Sequence, residues 1–158
     1  MNAQSIALTT VAVTAALSLT TAAPATATTA TTPSAHPNCY INAPGSLWIH
    51  ACIQNNTDKP LTKINEGLDH GTWHTKAPRE IQPKAEGRFA STSNGVMTGT
   101  KGWVTYNVDG QDYTFWWSNP FIGSSSEGVD CHGECRTRVH KDRDEQTRGN
   151  TELRWTIG

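Results

Sequence analysis

The sequence predicts an all-β chain folded as an antiparallel β-sandwich. Three observations carry this. Short alternating segments recur along the chain, separated by clusters of Gly, Pro, Asn and Asp. No stretch sustains the helical period of about 3.6 residues. The segment from Gly102 to Trp117 reads as a single β-hairpin around Asp109-Gly110, a pair suited to the positive φ angles of a type I′ turn. With Asp109-Gly110 as the loop, Val108 pairs with Gln111 and the register follows by counting outward. One face collects Val104, Tyr106, Val108, Tyr113, Phe115 and Trp117, a core face. The other collects Thr105, Asn107, Asp112 and Thr114, with Trp103 directly opposite Trp116. A register slip of one residue would place Trp117 on this outer face instead.

The remaining elements follow in order. Leu47 to Gln54 alternates, with Leu47, Ile49, Ala51 and Ile53 on one face. Asn55 to Pro60 is a turn cluster, and Leu61 to Asn65 is a second short strand. Gly67 to His74 is punctuated by glycine and suggests a bend, bulge or loop. Lys76 to Pro83 holds two prolines and is at best an edge piece. Glu86 to Ser93 is a strand centred on Phe89. A Gly-rich loop begins at Asn94-Gly95 and leads into the hairpin, and Ser118-Asn119-Pro120 ends it. Residues 124–149 are polar and charged without apolar periodicity, and read as a surface loop held in part by cysteines. Thr151 to Ile157 closes the chain as a strand, with Leu153, Trp155 and Ile157 inward.

The first 27 residues read as a signal peptide. Ile6 to Ala23 is apolar or small and uncharged, and Ala25-Thr26-Ala27 fits an A-x-A cleavage site. Residues 28–37 form a Thr/Ala/Pro-rich arm with too little apolar surface to offset ordering entropy. Residues 38–158 suit one domain. The expected location is therefore secreted and extracellular. All 13 Lys and Arg and all 14 Asp and Glu lie after Thr57, and their signs nearly cancel. That balance argues against nucleic acid as a partner, because phosphate binding needs clustered positive charge.

The four cysteines, Cys39, Cys52, Cys131 and Cys135, read as two disulfides in a secreted chain of this size. Three pairings are possible; Cys39–Cys52 and Cys131–Cys135 are favoured. The alternative is a zinc site joining Cys131 and Cys135 to His70 and His74. An oxidising compartment and the missing second Cys-x-x-Cys disfavour it, so no metal and no cofactor are expected.

Several pieces come in the order seen in aegerolysins. They are Ile53-Gln54-Asn55-Asn56-Thr57, Leu68-Asp69-His70-Gly71-Thr72-Trp73, Ile81-Gln82-Pro83, Phe89 with Ser91, Ser93-Asn94-Gly95, Gly99-Thr100-Lys101-Gly102 and Trp116 through Gly123. The chain resembles bacterial members of the insecticidal-crystal-protein type over roughly Trp48 to Ser125, with Thr151 to Ile157 similar to the usual last strand. The resemblance implies a small, actinoporin-like β-sandwich that binds membrane lipids, often sphingolipids or sterol-rich mixtures. It also implies, for some members, pore formation with a larger partner of the membrane-attack-complex/perforin type. Three departures bear on lipid specificity. Ser118 stands where an acidic residue is common, Ser124-Ser125-Ser126-Glu127 replaces the usual Asn and Tyr, and Val129 to Gly149 looks like an insertion.

Candidate contact residues are Trp103 and Trp116 on the outer hairpin face, with Trp117 as the slipped alternative, and Trp73 flanked by His70 and His74. An indole suits a bilayer interface because its body is apolar while its N–H stays wet. The same rings suit sugar stacking. The bland readings are a cross-strand stabilising pair and a packed Trp73 beside two solvated histidines. Arg136, Arg138, Lys141, Arg143 and Arg148, interleaved with Asp142, Asp144 and Glu145, read as a solvated mixed-charge loop rather than a docking patch. No nucleophile elbow, His-Glu-x-x-His or phosphate-binding glycine loop occurs, so no enzymatic activity is expected. The favoured reading is a secreted lipid-binding β-sandwich, the non-pore-forming half of a two-component cytolysin in its fullest form. The alternatives are a carbohydrate-binding module using the same Trp residues, and an inhibitor or protein-interaction domain that presents the loop between Cys131 and Cys135.

Overall fold

The structure, a computed structural model, describes residues 39–41, 47–133, 138–146 and 149–158. The expected signal peptide, the arm at 28–37 and Cys135 lie outside the described residues. Among the described residues, ten strands form two five-stranded sheets. The first sheet runs β3 (Thr72–Thr75), β5 (Glu86–Thr92), β1 (Trp48–Asn55), β10 (Asn150–Ile157), β9 (Val139–Gln146). The second runs β4 (Glu80–Ile81), β2 (Leu61–His70), β6 (Thr100–Val108), β7 (Gln111–Asn119), β8 (Ser126–Cys131). Pairing is antiparallel except between β1 and β10, which run parallel at the centre of the first sheet.

The inward residues of both sheets meet in one core. Ile49, Ala51, Ile53, Phe89, Leu153, Trp155 and Ile157 come from the first sheet, and Val104, Tyr106, Val108, Tyr113, Phe115 and Trp117 from the second. The hairpin has the register read from sequence, with Val108 opposite Gln111 and Trp103 opposite Trp116. Asp109 and Gly110 have φ of 53° and 81°, as a type I′ turn requires.

Four sequence expectations are corrected. Leu47 stands before β1 with φ of 57° rather than on its core face. The second strand continues through bulges to His70. The segment around Trp73 is an edge strand, β3, rather than a loop. Residues 124–149 contribute strands β8 and β9, one on the edge of each sheet, rather than a surface loop. An edge strand buries little, so charged residues suffice there and no hydrophobic alternation marks it. The seam between these edges is polar: Arg143 donates to Ser125 O at 2.8 Å and to Glu127 Oε2 at 3.0 Å, and Lys141 donates to Glu127 O at 3.3 Å.

One end of the sandwich gathers the start of β1, β6, β8 and β10 and the finish of β2, β5 and β7. Asn119 ties this end together. Its Nδ2 donates to Trp48 O (3.2 Å) and Gly149 O (2.5 Å), and its Oδ1 accepts from Ser125 Oγ (2.7 Å). Beneath it, Trp117 Nε1 donates to Ser91 Oγ (3.1 Å), which lies 2.8 Å from Thr100 Oγ1. These bonds join the two sheets and satisfy polar atoms that burial would otherwise penalise.

Candidate functional site

Two surfaces stand out: the loop tip above Asn119, and the outer face of the hairpin. The tip is built from two loops. The strand β5 ends at Thr92, and the chain then closes on itself. Ser93 Oγ donates to Gly95 O at 3.0 Å and lies 2.8 Å from Thr98 Oγ1. This leaves Val96 (90% exposed) and Met97 (59%) at the apex. The second loop follows Asn119-Pro120 and presents Phe121 (45%) and Ile122 (77%). The loops abut at Gly99, whose φ is +73°; a Cβ there would lie 2.3 Å from Asn119 O and 2.9 Å from Phe121 N. Four exposed apolar side chains therefore sit on two touching loops. The sequence holds no charged residue from Phe89 to Thr100 or from Tyr113 to Ser126. At the border, Lys101 and Asp69 form an ion pair at 2.8 Å.

Sequence reasoning passed over this tip because neither loop alternates. The signal was nevertheless present: Val96-Met97 and Phe121-Ile122 are apolar pairs inside Gly- and Pro-bounded loops, where adjacent side chains cannot both turn inward.

On the outer hairpin face, Thr105 Oγ1 lies 2.9 Å from Thr114 Oγ1, and Asn107 Nδ2 donates to Asp112 Oδ1 at 2.6 Å. Above them, a row crosses four strands in register: Gly67, Trp103, Trp116, Gly128. Each indole lies over the neighbouring glycine. A Cβ at Gly67 would sit 2.4 Å from Trp103 Cζ2, and one at Gly128 2.4 Å from Trp116 Cζ2. Only glycine leaves room for the rings to lie flat on the backbone. Both indoles are half-exposed. They point apart, over β2 and β8, about 14 Å from each other at a strand spacing of about 4.8 Å.

The other candidates divide. Trp117 is fully buried in the core, so the register slip that would have turned it outward does not occur. Trp73 is half-buried, its ring edge-on to Trp117 at 5.6 Å and to Phe89 at 6.2 Å. His70 and His74 are exposed at the β2–β3 corner, on either side of Gly71 with φ of 93°. Cys39 bonds Cys52. Cys131 is also disulfide-bonded, which removes its thiolate from a zinc set.

No family model matches the chain. A protein of Dictyostelium discoideum described only as uncharacterised is 38% identical over 90 residues, a stretch that covers 55% of this chain and 8% of that protein. The chain thus corresponds to a small part of that relative's length. Among solved structures, the lipid binding protein Nakanori superposes with a TM-score of 0.61 at 16% identity, covering 72% of this chain and 71% of that one. At that identity the likeness shows the fold: this chain is a β-sandwich of the same architecture as a protein described as lipid binding.

Proposed function

We propose that this chain is a membrane-lipid-binding β-sandwich that docks by its loop tip. The observation that carries the reading is the juxtaposition of Val96, Met97, Phe121 and Ile122, exposed on two abutting, uncharged loops. Apolar side chains exposed together on abutting loops at one end of a molecule mark a binding surface rather than scattered exposure. Full burial of such a side chain contributes about 1.5–3 kcal/mol. Four together suffice for reversible anchorage, and the absence of charge spares the desolvation cost of an ion. The shared fold with a lipid binding protein supports the same reading.

Docked by the tip, the sandwich stands with its strands along the membrane normal. Trp103 and Trp116 lie three residues from the ends of β6 and β7, roughly 10 Å above the strand ends. They would then face headgroups, with sphingolipid or sterol-rich membranes as the class to test first. Insertion is shallow in this reading. Among the described residues no helix is long and apolar enough to cross a membrane. Perforation would fall to a larger pore-forming partner, with this chain acting in recognition rather than catalysis. The Cys39–Cys52 disulfide suits an extracellular setting.

Co-sedimentation with vesicles of phosphatidylcholine, sphingomyelin, and sphingomyelin with cholesterol tests the reading. The paired variant Val96→Asp, Ile122→Asp changes exposed side chains, so its fold should persist by circular dichroism while vesicle binding falls at least about tenfold. Absence of wild-type binding to every composition, or unchanged binding by the folded variant, would overturn it.

A further inference from the structure

A cleft of about 320 Å³ opens along the edge strand β8, lined by Trp116, Gly128, Asp130, Glu127, Val139 and Lys141. Its size is at the small end for ligand pockets, roughly 300–1,000 Å³. One wall is the indole of Trp116, held flat over Gly128. The polar lining comes from β8 and β9, the strands of the segment that distinguishes this chain from the aegerolysin pattern. The cleft is separate from the loop tip and does not depend on it.

The charges in the cleft decide its ligand. Among the lining residues, Glu127 faces Lys141 at 3.7 Å and Asp130 adds a second carboxylate; Arg143, outside the lining, pairs with Glu127 at 3.0 Å. The lining alone carries two acids and one base, and the Arg143 guanidinium paired with Glu127 brings the formal sum at the site to zero. A phosphate needs net positive charge, and an ammonium needs net negative charge against the ring. Neither condition is met. What remains is a flat, half-exposed aromatic face beside closely spaced hydrogen-bond donors and acceptors. That combination matches a neutral pyranose, whose C–H face packs on an indole while its hydroxyls both donate and accept. We infer that the Trp116 cleft is a binding site for a neutral sugar residue. Trp103, about 14 Å away across the same sheet face, extends the platform for a chain of several sugars.

The sugar can arrive on a glycolipid or as a free glycan, and the test separates the two. Cello-, chito- and malto-oligosaccharides are titrated by calorimetry, and vesicles with and without lactosylceramide are assayed by co-sedimentation. The expected result is millimolar or tighter affinity for at least one oligosaccharide or a clear preference for lactosylceramide vesicles. That gain should fall at least about tenfold in Trp116→Ala and also fall in Lys141→Met, which leaves the indole in place. The tip variant Val96→Asp, Ile122→Asp should keep oligosaccharide binding, so failure of the membrane reading and failure of this one are distinguishable. Binding to no oligosaccharide and no preference for lactosylceramide overturns the inference. So does sugar binding unaffected by either cleft variant in folded protein.

Discussion

The two outward sheet faces each carry a central aromatic pair, and they differ in what lies on it. On the first sheet, Trp48 and His50 stack at 3.7 Å, and Tyr40 meets His50 edge-on at 5.0 Å. The segment Cys39–Ile41 covers them: Cys39 is bonded to Cys52, Cys39 N–H donates to Glu152 Oε2 at 3.2 Å, and Ile41 N–H donates to His50 Nδ1 at 3.1 Å. Trp48 is 8% exposed and His50 is fully buried. On the second sheet, Trp103 and Trp116 lie on glycines and stay half-exposed. An aromatic pair on a sheet face is therefore no functional signal by itself. The roofed pair supports structure, and the open pair is available to a ligand.

Removing the roof should have the largest effect. The Cys39–Cys52 link closes a short loop with a sequence separation of 13. A cross-link of that span contributes about 3 kcal/mol, chiefly by restricting the unfolded chain. The double variant Cys39→Ser, Cys52→Ser should lose about that much stability in urea denaturation. A loss well under about 1 kcal/mol would show that the ring contacts and the Glu152 bond hold the arm without the link.

Much of this contrast was legible in the sequence, but only part. Asp109-Gly110 with flanking alternation set the hairpin, and the Trp103–Trp116 pairing followed by counting. Ile49, Ala51 and Ile53 marked the inner face of β1. The roof was not legible, because Trp48, His50 and Cys52 alternate with those residues and look like an outward row until the arm is placed over them. The parallel pairing of β1 with β10 joins residues about a hundred positions apart and leaves no local pattern. In β9, Val139 to Arg143 alternates charge with little apolar content, which a period-based reading assigns to a loop. The tip was missed for the opposite reason, since its apolar residues are adjacent rather than alternating.

The buried histidine sharpens the comparison through pH. Burial, with His74 nearby, lowers His50 from 6.5 to about 4. Geometry gives the same sign: neutral Nδ1 accepts the Ile41 N–H, and a proton there would set donor against donor. Its Nε2 has no hydrogen-bond partner among the described residues. Above pH 6.5 the group is neutral in both states and stability is unaffected. As pH falls from 6.5 to about 4, unfolded chains take up a proton that the fold refuses, and stability drops by up to about 3 kcal/mol. Glu152, raised by burial, works oppositely: its protonation in the fold returns some stability as pH falls through its own range. The net slope should flatten in His50→Gln, which keeps an acceptor without titrating. An unchanged urea-midpoint slope in that variant would assign the effect elsewhere.

The smallest effect, and the most local, concerns the glycines under the open pair. The rings of Trp103 and Trp116 lie flat only because Gly67 and Gly128 have no Cβ. Gly128→Ala would place a methyl 2.4 Å from Trp116 Cζ2 and 2.6 Å from Cε2, so the indole must lift. Overpacking of this kind costs about 1–3 kcal/mol in a core. On a half-exposed face the ring can swing toward solvent, and alanine also costs the unfolded strand some freedom. The net loss should therefore be about 1 kcal/mol or less, with Trp emission shifted to the red as the ring meets water. Gly67→Ala should do the same to Trp103. If both variants leave emission and stability unchanged, the rings are not seated on the backbone. The difference between the two faces would then lie in the roof alone, rather than in a platform built beneath the open pair.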